Sequence, residues 1–171
     1  TANAGVFETI LNVECNDAQA VRDAIEKVFS SYGELPSYSQ VLIQPFITDV
    51  AMSGVLFTCD LITGAPYYVI NYDDSSGKTD KVTSGADHYS NKVLKILRDK
   101  ENLLLSPRFN KLIMATKELE LIYQNKNLDL EFVIDNELNI FLLQVRPLTK
   151  IKKFPFKKAY SNYRKNQQKQ R

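Results

Sequence analysis

The chain has 171 residues, of which 44% are apolar and 25% charged, with 6 Gly, 6 Pro and 2 Cys. This profile is typical of one globular domain with its own core, and it excludes collagen-like and membrane-spanning chains because no long apolar run occurs. Nine of the 22 basic residues and none of the 20 acidic residues lie in 150–171, so residues 1–149 carry a net charge of −7. The body is therefore acidic and the tail basic.

The cysteines and the chain ends bear on where the protein works. Cys15 and Cys59 have no metal-binding spacing and no signal peptide precedes them, which favours a reducing, cytoplasmic location. The opening TANAG is no targeting sequence, and we expect the chain to be a piece of a longer protein. We interpret 150–171 as a basic linker or terminal helix rather than as a segment that binds nucleic acid or anionic lipid, and we expect neither as a partner.

The first part of the chain predicts one helix and three strands. Apolar residues at helical spacing over 16–32, with Asn16 or Asp17 as N-cap and Gly33 as terminator, predict an amphipathic helix. Short segments rich in β-branched and aromatic residues, separated by turn sequences, predict consecutive antiparallel strands at 41–47, 54–59 and 66–72.

The second part predicts a polar loop over 73–87, a helix from about Asn91 to Arg98, a longer helix and a hairpin. The longer helix begins at Ser106-Pro107. Its apolar stripe consists of Phe109, Leu112, Ile113, Thr116, Leu119 and Ile122. The order of elements indicates an α+β fold with a mainly antiparallel sheet and flanking helices.

Polar residues alternate along both strands of the predicted hairpin, LDLEFVID and LNIFLLQVRP. Asp129 and Glu131 share one face of the first strand, and Gln144 and Arg146 share one face of the second. A four-residue loop over 136–139, with residue 135 opposite 140, would pair Glu131 with Gln144 and Asp129 with Arg146. All four polar groups would then converge.

This cluster combines hard oxygen ligands suited to Mg²⁺ or Mn²⁺ with an arginine fork suited to a phosphate. It therefore resembles a metal–nucleotide site. The alternative is a surface hairpin whose polar residues face water and whose Asp–Arg pair only bridges the strands.

The hairpin sequence resembles the end of the ATP-binding domain of phosphoenolpyruvate synthase and pyruvate phosphate dikinase, where a D-[IL]-E strand precedes an L-L-Q-x-R-P strand. Three further blocks are similar to that family, in the family's order: TANAGVFETILNV (1–13), VLIQPFI (41–47) and SGVLFTCDLITG (53–64). The resemblance covers nearly all of 1–149 and implies the later half of an ATP-grasp nucleotide-binding domain. In that family, ATP phosphorylates a histidine on another domain of the same polypeptide, which passes the phosphoryl group to a small acceptor.

The resemblance also implies roles for individual residues, with ATP and Mg²⁺ as the ligands. Gly5 and Thr9 match the loop that covers the phosphates, where a backbone without Cβ approaches an anion closely. The hinge beside adenine matches Gln44, Pro45, Phe46 and Ile47. The metal ligands match Glu131 and Gln144 with Asp129 beside them, and Arg146 matches the catalytic group that meets the terminal phosphate.

Several residues depart from that pattern or imitate other sites. Val6 stands where the family commonly has Gln, and the phosphate-gripping residues of the earlier half have no counterpart after Thr1, so we expect this chain alone to bind ATP weakly and not to catalyse. The sequence 76–79 imitates the end of a P-loop without its first glycine. His88 lacks the family's phosphohistidine context, and Cys59 is interpreted as a buried structural thiol.

Two functions follow as hypotheses. The first is the ATP-binding part of a dikinase-like phosphotransferase, and the second is a non-catalytic binding or interaction module with an ATP-grasp shape. The acceptor stays open, because similar domains serve pyruvate, antibiotics, glucans and glutamine. The stretch over 67–85 resembles the branch found with surface-polysaccharide genes.

Overall fold

The computed structural model of the protein describes residues 7–34, 38–75 and 92–148. The chain divides between Thr48 and Asp49 into two units, which are described separately. The described residues form two α-helices and a five-stranded antiparallel sheet, so the predicted α+β class is confirmed. In these three stretches no helix has both the length and the apolar character needed to cross a membrane.

The predicted first helix is confirmed as α1, Ala18–Ser30. The Asp17 side chain caps it by accepting hydrogen bonds from the backbone N–H groups of Gln19 and Ala20 at 2.8 and 3.1 Å. Gly33 follows the helix at φ +62°, a left-handed conformation that suits a residue without Cβ. Asp17 therefore caps the helix as predicted, whereas the C-cap is Ser31, two residues before Gly33.

The strand predicted at 41–47 is wrong, because these residues are irregular. Positions 42–46 are all exposed, so the segment has no buried face against which a strand could pack. Pro45 also lacks the N–H group that a sheet ladder needs. Among the neighbouring residues, the Tyr32 hydroxyl donates to the Gln40 carbonyl oxygen at 2.8 Å.

The second unit contains the sheet, with strand order β3-β2-β1-β4-β5 and every neighbouring pair antiparallel. Its strands are β1 (Val50–Phe57), β2 (Tyr67–Asp73), β3 (Lys92–Leu97), β4 (Leu128–Asp135) and β5 (Ile140–Pro147). A short 3-10 helix (Glu101–Leu103) leads into helix α2 (Pro107–Ile122). The strands predicted at 54–59 and 66–72 and the hairpin strands are confirmed, with small shifts at their ends.

The helix predicted over 91–98 is wrong, because Lys92–Leu97 is strand β3 at the edge of the sheet. Its apolar residues fit either the helical or the strand periodicity, and pairing with β2 decides between the two. Ile96 is buried and Leu94 half-buried on the core face, whereas Val93 on the other face is 60% exposed. Six residues are also too few for a helix that is stable without tertiary packing.

Helix α2 covers one face of the sheet and closes the core. Four of its six predicted stripe residues are buried, but Leu119 is half-buried and Ile122 is 67% exposed, so the predicted stripe is wrong at its end. Glu120 is buried in the last turn instead. The buried sheet residues packed with this helix include Met52, Leu56, Tyr68, Ile70, Leu128, Leu130, Phe132 and Ile134. Because side chains alternate along β4, Asp129 and Glu131 point to the opposite face.

Candidate functional site

Strands β4 and β5 bring together the polar residues that the sequence singles out. Asp129 lies opposite Arg146, and Glu131 lies opposite Gln144, as predicted. The predicted turn is wrong, because the closing pair is Ile134 with Ile140. The partner of β4 then jumps from position 142 to 144, which leaves Leu143 as an extra bulged residue that restores the predicted pairing at the site.

Arg146 joins the other three polar side chains. Its Nη2 donates to Asp129 Oδ2 at 2.7 Å and lies 3.9 Å from Glu131 Oε1. With its amide oxygen turned toward the guanidinium, Gln144 accepts from Arg146 Nε at 2.8 Å and Nη1 at 3.3 Å. The four groups thus form one cluster with two carboxylates against a single positive charge.

The two carboxylates are only partly neutralised by Arg146. Asp129 Oδ1 is buried and has no hydrogen-bond partner among the described residues. Burial raises the pKa of Glu131 above its ordinary value; Arg146 lowers this pKa, and Asp129 raises it further. A cation that neutralised these oxygens would relieve both conditions.

The oxygen set of the cluster is incomplete as a metal site. In the stretches that the structure describes, no group of three or more His, Cys, Asp or Glu residues could hold a metal ion. If neither carboxylate chelates the metal, the cluster offers three oxygen ligands, one each from Asp129, Glu131 and the Gln144 amide. Mg²⁺ is commonly bound by one or two carboxylates, with water and phosphate oxygens completing its six ligands. The donor set therefore fits a metal that arrives with a phosphate ligand better than a metal held by protein alone.

Strand β1 extends the polar cluster with apolar residues that the sequence did not single out. Val55 lies opposite Glu131, and Phe57 lies opposite Asp129, so both share the face of the cluster. Asn71 of β2 lies opposite Val55 in the next row. Alternation within GVLFT could have placed Val55 and Phe57 on one face, but only the sheet order brings them beside the carboxylates.

The remaining predicted nucleotide contacts belong to the first unit. Thr9 is exposed, next to Glu8, whose N–H donates to Ser31 Oγ at 3.0 Å. Of the predicted hinge, Gln44, Pro45 and Phe46 are exposed and Ile47 is half-buried. Gly5 lies outside the described residues.

The block SGVLFTCDLITG has a structural explanation at several positions. A Cβ on Gly54 would collide with the backbone carbonyl of Asn71 in the paired strand. Asp60 Oδ1 accepts from Ile62 N–H at 3.1 Å and from Thr63 N–H and Oγ1 at 2.9 Å, and Gly64 completes this turn at φ +68°. Several residues of this block are therefore explained by how the strand pairs, ends and turns.

Other predictions fall away from the cluster. Cys59 is buried, as predicted, and that burial raises the pKa of its thiol. The P-loop imitation at 76–79, His88, most of the 73–87 loop and the basic segment 150–171 lie outside the described residues.

No protein-family model matches this chain, and no curated protein is similar enough to count as a match. The chemistry of the hairpin cluster is therefore the main ground for inferring function.

Proposed function

We propose that this chain is the later half of an ATP-grasp nucleotide-binding domain in a multidomain, dikinase-like phosphotransferase that resembles phosphoenolpyruvate synthase. The observation that carries this proposal is the convergence of Asp129, Glu131, Gln144 and Arg146 on one sheet face. Oxygen ligands beside a guanidinium suit a divalent cation and a phosphate together. In the intact enzyme, ATP would phosphorylate a histidine on another domain, and a small acceptor would then receive the phosphoryl group.

Asp129, Glu131 and the Gln144 amide oxygen are the residues proposed to hold Mg²⁺. The buried Asp129 Oδ1, which lacks a partner among the described residues, supports this assignment because a buried carboxylate oxygen is costly to leave unpaired. When bound, Mg²⁺ supplies positive charge that neutralises phosphate oxygens. Glu131 must be ionised to serve as a ligand, so a proton competes with the cation at this carboxylate.

Arg146 is proposed to position the terminal phosphate. Three of its nitrogens already contact Asp129 and Gln144, which fixes the plane of the guanidinium before any ligand arrives. Its side chain is still 30% exposed, so part of the fork remains open to a ligand. An arginine that is oriented in advance loses little conformational entropy when it meets an anion.

The fold also supports a nucleotide site on this face. Helix α2 occupies the opposite face of the sheet, so the cluster and the apolar side chains of Val55 and Phe57 share a side that α2 leaves open. From the sequence resemblance alone, Gly5 and Thr9 are proposed as the phosphate loop and Gln44–Ile47 as the adenine hinge.

One observation favours the second function, a non-catalytic ATP-grasp-shaped module. The 2.7 Å bond between Arg146 and Asp129 also serves as a cross-strand ion pair that stabilises the hairpin. In such a module the pair has only this role, and the protein does not bind Mg·ATP.

Isothermal titration of Mg·ATP into the full-length product of the gene separates the two functions. We expect heat of binding for the wild type and its loss in Glu131→Gln or when Mg²⁺ is omitted. Glu137→Gln, the same substitution at an exposed position in the turn of the same hairpin, is the matched control and should bind as the wild type does. A wild-type protein that gives no heat would refute the kinase proposal and leave the module.

A further inference from the structure

Thr58 makes an unusual link between β1 and β4 immediately beside the cluster. Its N–H donates to the Leu128 carbonyl oxygen at 3.0 Å. A regular antiparallel pair would return a bond from Leu128 N–H to the Thr58 carbonyl. Here the Thr58 hydroxyl takes that place, accepting from Leu128 N–H at 2.7 Å and donating to the Lys126 carbonyl oxygen at 2.8 Å. A side chain thus completes the strand pairing next to Asp129.

The carbonyl of Thr58 accepts instead from a half-buried arginine. Arg98 Nη1 donates to it at 3.0 Å. The same guanidinium binds both oxygens of Glu120 on α2 at 2.5 and 2.6 Å and lies 4.4 Å from the centre of the Tyr68 ring. Because Arg98 is held from two further sides, it fixes the direction of the Thr58 carbonyl and leaves the hydroxyl as the acceptor for β4.

The position of this link connects it to the cluster. Thr58 follows Phe57, which lies opposite Asp129, and Leu128 precedes Asp129. On the other side, Leu148 N–H donates to the Asn127 carbonyl oxygen at 2.9 Å, just beyond Arg146. The backbone at 126–128 is therefore bonded from both neighbouring strands immediately before Asp129.

We infer that Thr58 is a positioning residue for the proposed Mg·ATP site, acting through Leu128 on Asp129 and, across the hairpin, on Arg146. This inference rests on the proposed function. A carboxylate can act as a metal ligand only within a narrow range of positions, and the backbone N–H of Leu128, the residue before Asp129, is bonded to the Thr58 hydroxyl. The hydroxyl thereby sets the geometry of a site that it does not touch.

The test compares Thr58→Val, which keeps the shape and removes the hydroxyl, with Thr58→Ser, which keeps the hydroxyl. We measure the Kd for ATP in the full-length protein with Mg²⁺ and with EDTA. We expect Thr58→Val to reduce the gain in affinity that Mg²⁺ provides by about tenfold, as one lost buried hydrogen bond would suggest. Thr58→Ser should restore the gain. If Thr58 had only a structural role, Thr58→Val would have a lower unfolding temperature, but Mg²⁺ would raise its affinity for ATP by the same factor as in the wild type.

Thr116→Val is the matched control, because Thr116 is also fully buried and its hydroxyl donates to the Leu112 carbonyl within α2, away from the cluster. It should leave the Mg²⁺ gain unchanged. The inference would be overturned if folded Thr58→Val kept the full gain in ATP affinity from Mg²⁺. It would also be overturned if Thr58→Val and Thr116→Val lost that gain equally. If Thr58→Val does not fold, Arg98→Lys is measured instead, since it keeps the charge but loses the fork that reaches Thr58; an unchanged gain there also overturns it.

The failure of the proposed function gives a different result. In that case the wild type itself binds no Mg·ATP, and the inference is overturned together with the function. If the wild type binds and Thr58→Val binds equally well, only the positioning role is lost.

Discussion

Replacing Gly54 with Ala tests how closely β1 and β2 approach beneath Phe132. The new Cβ would lie against the Asn71 carbonyl oxygen, inside the closest approach of carbon and oxygen, and 3.0 Å from both Phe132 Cζ and Tyr72 Cα. Two of these three atoms belong to the backbone of the paired strand and cannot move without disturbing the ladder. Overpacking of this kind costs about 1–3 kcal/mol.

The sign of the change makes this prediction decisive. Gly54 does not have a positive φ, so without a collision Gly54→Ala would stabilise the protein by about 0.4–1 kcal/mol through the unfolded state. We expect destabilisation by about 2 kcal/mol, which corresponds to a fall of roughly 4–8 °C in Tm for a domain of this size. Urea denaturation followed by circular dichroism suits the chain, which contains no Trp. Equal or greater stability of Gly54→Ala would refute the close approach.

A matched glycine and a second-site change separate the causes. At Gly33 no atom lies within 4 Å of an added Cβ, but φ is +62°, so Gly33→Ala should cost about 1 kcal/mol from backbone strain alone. Phe132→Leu should rescue Gly54→Ala only in part, because the Asn71 carbonyl stays in place. Full rescue would mean that the side chain, rather than the paired strand, is the obstacle.

Three further predictions concern buried and titrating groups. Arg98→Met leaves the Glu120 carboxylate buried without its ion-pair partner and should lower the free energy of unfolding by about 3–5 kcal/mol in chemical denaturation. Adding Glu120→Gln should recover part of that stability. No recovery would contradict the pairing. The Lys95 bond, followed by those from Thr63, holds the pKa of Asp60 well below its ordinary value. The stability advantage of wild type over Asp60→Asn should therefore be full above about pH 4 and shrink as pH falls. A stability difference that stays constant with pH would contradict this. The pKa of Glu131 is raised, so wild type should gain stability relative to Glu131→Gln as pH falls from that raised pKa to the unfolded value of 4.5. A loss of relative stability over that pH range would contradict this.

The sequence predicts the local features of this fold well where a residue type has one characteristic structural role. Asp17 caps α1, Pro107 opens α2, and alternation places Asp129 and Glu131 on one face of β4. Each of these depends only on neighbours within a few residues. The register at the cluster is also predicted, although the bulge at Leu143 compensates for an incorrect turn.

Features that depend on distant pairing are not predicted. The segment 92–97 fits both periods, and only its pairing with β2 makes it a strand. The segment 41–47 has the composition of a strand, but its exposure on both sides and Pro45 leave it irregular. The sheet order that places β1 beside β4, and with it Phe57 beside Asp129, joins residues more than 70 positions apart. Neither motif spacing nor periodicity contains that information.

Binding of a metal nucleotide by the cluster around Arg146 is tested most directly by locating the metal. Mn²⁺·ATP added to the full-length protein broadens methyl resonances near the metal, which locates it directly. We expect Val55, which lies opposite Glu131 on the face of the cluster, to broaden first and Ile113 on α2 to stay sharp. Broadening that spares Val55, or that affects Ile113 equally, would contradict the assignment.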